Sequence, residues 1–109
     1  MNQHMEIHIY LLVVFPDAKD MHNLKKLFTT LSNTIKSATG NLPQIIHPNT
    51  GAVALLVEGT FIALSKAIDT AITQETRWIM TRIEAPYTTF GLNQSHAWIQ
   101  SRLRQNRPT

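Results

Sequence analysis

No cysteine occurs in the chain, which excludes disulfide staples, thiolate zinc sites and cysteine nucleophiles and leaves stability to packing. That absence fits a reducing compartment. Glycine and proline are sparse, four and five in 109 residues, and a 43% hydrophobic share beside 16% charged residues lies far from the apolar-poor composition of disordered chains. The apolar run Ile7 to Phe15 starts behind Glu6 and stops at Pro16-Asp17, too short to span a bilayer and without the basic start or small-residue cleavage site of a signal peptide. The expectation is a cytoplasmic protein without a membrane partner. Acidic residues are missing after Glu84, while Arg102, Arg104 and Arg107 crowd the last eight positions. With ten Lys and Arg against seven Asp and Glu, the net charge is +3, which permits an acidic partner without requiring one.

What is present reads as alternating strands and helices. Met5 to Phe15 is β-branched and aromatic-rich, as a central strand should be, and Asp17 or Asp20 can cap the helix expected next. Leu24, Leu27, Phe28, Leu31, Ile35 and Ala38 recur at three- and four-residue steps, a helical stripe that Gly40 closes. Leu42 to His47 is bracketed by Pro43 and Pro48 and suits a short edge strand, turning through Asn49-Thr50-Gly51 into the apolar strand Ala52 to Glu58. Thr60 caps a second helix with Phe61, Leu64, Ile68, Ala71 and Ile72 on one side; Thr76 to Glu84 forms a fourth strand, and Asn93 caps a last helix through Ile99 and Leu103. One domain over 1–109 is expected, flexible at about 1–4 and 106–109. The fold class is α+β: a ferredoxin-like βαββαβ antiparallel sheet with an added C-terminal helix.

Strand parity then sorts the side chains. Ile7, Ile9, Leu11, Val13, Val53, Leu55, Val57, Ile79 and Ile83 are uniformly aliphatic and are assigned to the face under the two crossover helices. The other face would carry Tyr10, Leu12, Leu56, Trp78 and Met80, too apolar to stay in water. Either the C-terminal helix, through Leu92, Trp98, Ile99 and Leu103, or a second copy in a homodimer should cover it. Tyr10, Leu12, Leu56, Trp78, Met80 and Trp98 are therefore the candidate interface.

Catalytic chemistry finds little support. His4, Glu6 and His8 share one face of a strand, but His4 and His8 stand about 13 Å apart and cannot both reach one ion. No metal or cofactor is expected. No Gly-rich phosphate loop is present, and Ser32, Ser37, Ser65, Ser95 and Ser101 fall in helical patterns without a strained nucleophile turn. The segment Tyr10 to Asp17 resembles the small ferredoxin-like nucleases of CRISPR adaptation, which carry an aspartate after their first strand. That resemblance implies a nuclease with Asp17 as its carboxylate, whereas helix capping accounts for Asp17 and Asp20 without catalysis. Nucleic acid is a second partner class: Tyr10 and Trp78 would stack bases while Arg77, Arg82, Arg102, Arg104 and Arg107 meet phosphates. The leading expectation is a small non-enzymatic interaction module, a regulator or inhibitor of a protein partner; a nucleic-acid-binding protein is the alternative and a nuclease third.

Overall fold

A computed structural model describes residues 6–16, 24–49, 52–72, 76–85 and 93–105. Strand β1 (Ile7–Phe15) leads to helix α1 (Leu24–Thr39), strands β2 (Gln44–Asn49) and β3 (Ala52–Thr60), helix α2 (Phe61–Ala71), strand β4 (Arg77–Arg82) and helix α3 (Asn93–Gln105). The fold is α+β, a four-stranded antiparallel sheet in the order β2-β3-β1-β4 with three helices. The β-branched strands β1 and β3 take the middle, where ladders on both sides satisfy their backbone groups. Asp17, Asp20, Leu92 and both chain ends fall outside the described residues.

Local signals place the boundaries. Gly40 takes φ +78°, the left-handed turn at which glycine is unstrained, and its N–H donates to the Lys36 carbonyl at 2.8 Å to stop α1. Strand β3 runs straight into α2 at Thr60, whose Oγ1 accepts from the Ala63 N–H at 3.1 Å. The strand bounds differ from the sequence expectation: β1 starts at Ile7 and β3 continues through Thr60. Strand β2 starts two residues later and extends through Pro48, with a register shift between Ile45 and His47; an edge strand tolerates both, because only one side of it is paired. Strand β4 stops at Arg82, though the Ile83 N–H still donates to the Ile9 carbonyl at 3.0 Å.

The assignment of faces is corrected in β1 and β4. Tyr10 lies opposite Val57, Leu12 opposite Leu55 and Met80, and Val14 opposite Val53 and Trp78. Directly paired residues share a face, and this set packs with Leu27, Phe28, Leu31 and Ile35 of α1 and Leu64, Ala67 and Ile68 of α2. Only the β3 residues Val53, Leu55 and Val57 match the expected core. Ile9, Leu11 and Ile83 belong to the opposite face, where they pack with Leu56, Ile46, Trp98, Ile99 and Leu103. The C-terminal helix does cover a sheet face, one of the two covers expected, but that face is the one carrying Ile9, Leu11 and Leu56 and not the one of Tyr10, Leu12, Trp78 and Met80.

Gly59 sits where the β3–α2 junction passes the end of α1. A Cβ at this position would stand 2.7 Å from Thr39 Cγ2 and 3.2 Å from Thr39 Cβ. Thr39 has little freedom to turn away, since its Oγ1 donates to the Ile35 carbonyl at 2.8 Å and accepts from the Asn41 N–H at 3.1 Å. Gly59→Ala is therefore expected to cost about 1–3 kcal/mol by overpacking, read from urea unfolding midpoints. A neutral effect would mean that the junction has slack the geometry does not show.

Candidate interaction surface

The arginines at the sequence ends of β4 and in α3 have different surroundings. Arg77 is exposed, and Arg82 reaches Glu84 at 3.3 Å with both side chains largely in solvent. Arg102 is engaged within the chain. Its Nε lies 3.4 Å from Glu58 Oε1, its guanidinium stacks 3.8 Å over the Trp98 ring, and its Nη1 donates to the Trp98 carbonyl at 3.3 Å. The enclosed Nε–H is out of hydrogen-bond alignment with any acceptor among the described residues, so its attraction to Glu58 is coulombic. Side-chain exposures of 26% for Arg102 and 15% for Glu58 place this contact between a surface pair and a buried one. The side chain of Arg104, and Arg107 altogether, lie outside the described residues.

Three residues were overlooked as a unit from the sequence. Trp98 and Arg102 are four apart on a helix, the spacing at which side chains meet, and Glu58 is the one acid in an otherwise apolar strand. Across the fold, Ile9 pairs with Glu58 on the α3 side of the sheet, which carries the carboxylate to the arginine.

The expected interface residues divide between two interiors. Tyr10, Leu12, Trp78 and Met80 contribute to the layer under α1 and α2, while Leu56 and Trp98 meet under α3. Leu12 and Leu56 have no exposed surface at all, so they offer nothing to a partner while the chain is folded. Tyr10 is edge-on to Phe61 with ring centroids 6.1 Å apart. Burial raises its phenol above the ordinary value, an effect the nearby Arg82 charge partly offsets. With only 5% of its surface exposed, Tyr10 is a core group rather than a base-stacking platform.

Of the three residues weighed and set aside as metal ligands, His8 Nε2 meets Glu6 Oε2 at 3.1 Å, and His4 lies outside the described residues. Among the described residues no three His, Cys, Asp or Glu gather as a metal site would require. Nor is any described helix long and apolar enough to cross a membrane.

The α3 face is open at both ends, at Ile7, which is 56% exposed, and at the Phe15 end of β1. Val13 lies opposite Ile79 and Phe15 opposite Arg77, so these four side chains form one strip beside the area that α3 occupies. Ile79 is 58% exposed and Phe15 47%. No family model, curated protein or solved structure matches the chain. Its surface must therefore be read from its own geometry, and Phe15 and Ile79, with the partly buried Val13 between them, are the apolar ground the fold leaves uncovered beside the β4 edge.

Proposed function

We propose that this chain is a non-enzymatic interaction module with a ferredoxin-like arrangement that binds protein through the Phe15–Val13–Ile79 strip. The β-α-β-β-α-β sequence of elements and the β2-β3-β1-β4 sheet order support the fold part of that reading. The exposure of Ile79 and Phe15 as diagonal neighbours on one sheet face carries the functional part. Strand residues of this size stay in water at a cost of roughly 25 cal/mol per Å² that a partner would recover.

The competing reading is binding of RNA or DNA, for which Arg77 beside Phe15 supplies a cation next to a ring. Salt separates the two. Phosphate contacts weaken steeply as counterions compete, whereas an apolar contact changes little. Fluorescence anisotropy with labelled single-stranded RNA and DNA at about 50 and 200 mM salt is expected to show no saturable binding. Saturable binding that falls by an order of magnitude or more over that range, and is lost in Arg77→Gln/Arg82→Gln, would overturn the protein-binding assignment.

A further inference from the structure

We infer that the partner of this strip is a second copy of the chain, joined by antiparallel pairing of β4 with β4 so that the two sheets become one. The inference rests on the reading of the strip as a protein-contact surface and names its occupant.

The two edges of the sheet are built differently. Strand β2 is blunted by Pro48 within it, Pro43 just before it and the irregularity between Ile45 and His47, devices that discourage another strand from adding. Strand β4 has neither proline nor irregularity: Arg77 to Arg82 runs in unbroken register against β1, with its charges confined to the two end residues. Among the described residues no strand pairs with its other side.

The ladder also determines which groups face outward. The Ile83 N–H bonds to the Ile9 carbonyl, and backbone groups alternate in direction along a strand. Ile83, Thr81, Ile79 and Arg77 therefore turn theirs toward β1, and Trp78, Met80 and Arg82 present theirs to the open edge. A two-fold axis perpendicular to the sheet keeps each residue's face, so position 79 can meet itself while 78 meets 80. The Trp78–Met80 pairs then exchange hydrogen bonds, and Ile79 meets Ile79 of the other copy at a non-hydrogen-bonded site, where side chains approach most closely.

Charge accepts this register. Arg77 falls opposite Thr81 and Arg82 opposite Thr76, so no two arginines face each other despite both ends of the strand being basic. Centring the axis on Met80 instead would set Ile79 against Thr81 and Trp78 against Arg82, losing the apolar match. With Ile79 on the axis, the two strips of Phe15, Val13 and Ile79 become one apolar band across the seam.

The absence of native cysteine makes the test direct. At a non-hydrogen-bonded pair the Cα atoms are about 4.5 Å apart, within the roughly 4.4–6.8 Å that a disulfide accepts. Mild oxidation of Ile79→Cys is expected to convert most of the protein to a covalent dimer. In Thr81→Cys the two thiols would lie about 13 Å apart, and no such dimer should form at the same concentration. Sedimentation equilibrium should show the unsubstituted chain as a dimer at micromolar concentration. Ile79→Lys, at an exposed position, should be monomeric with an unchanged far-ultraviolet circular dichroism spectrum.

A monomer throughout the micromolar range overturns the self-pairing, as does a dimer that survives Ile79→Lys and leaves Ile79→Cys uncrosslinked. Salt-sensitive nucleic-acid binding in the anisotropy experiment instead overturns the underlying protein-contact reading, whatever the oligomeric state. The two failures are thus distinguishable.

Discussion

Leu12→Ala is expected to destabilise the chain by about 2–5 kcal/mol, a large share of the roughly 5–15 kcal/mol that holds a domain of this size together. Leu12 has no exposed surface, and it sits between Leu55 of β3 and Met80 of β4 in the layer under α1 and α2. Truncation there leaves a cavity that three strands and two helices would have to close together. Ile7→Ala on the same strand is expected to cost under about 0.5 kcal/mol, because Ile7 is 56% exposed. The pair of substitutions is diagnostic, since a core built on the opposite parity would make Ile7 the costly position. Urea unfolding curves of both variants decide it: equal losses, or a larger loss for Ile7→Ala, would refute the observed face of β1.

The second large effect concerns α3. Ile9, Leu56 and Ile99 are buried against one another, with Trp98 and Leu103 packed around them, and each large aliphatic side chain returned to water costs about 1.5–3 kcal/mol. A chain ending at residue 92 would expose Ile9 and Leu56 and lose Ile99, Trp98 and Leu103 as cover. The expected penalty is about 5 kcal/mol or more, comparable with the whole stability, so the shortened chain should be largely unfolded or bind a hydrophobic dye strongly. Arg102→Met probes the polar part alone, and a loss of about 1–2 kcal/mol is expected, between the values for exposed and buried pairs. A shortened chain that melts at the unsubstituted temperature and stays dye-free would show that α3 does not protect the sheet.

These expectations bear on how the chain encodes its faces. In β1 both parities are apolar: Ile7, Ile9, Leu11 and Val13 on one side, Tyr10, Leu12 and Val14 on the other. Hydropathy identifies such a strand as central but is silent on which side the crossover helices take. Its register with β3 breaks the tie, because Val57 lies opposite Tyr10 rather than Ile9. A shift of one residue would have exchanged every side chain between the two layers. The same coupling turned Trp78 and Met80 inward and left Ile79, an aliphatic residue with all the marks of a core position, facing solvent.

The surface residues show the same division. Arg102 looks from the sequence like one of three tail cations available to phosphate, yet Glu58, forty-four positions earlier, holds it against Trp98. Periodicity contains no such long-range pairing, which exists only once α3 lies across the sheet.

Local chemistry sufficed wherever neighbours along the chain settle the matter. Gly40 ends α1 because glycine reaches a positive φ without strain, Thr60 starts α2 because its hydroxyl accepts a free helix N–H, and the stripe of Leu27, Phe28, Leu31 and Ile35 made one side of α1 the core side. The order of strands and helices was written in such signals. Tertiary structure decided which face of β1 and β4 the helices bury, which arginine is paired, and that Phe15 of β1 and Ile79 of the edge strand β4 end as exposed diagonal neighbours. Those outcomes depend on register between strands distant in sequence, and a strand apolar on both faces carries no local preference between its two registers.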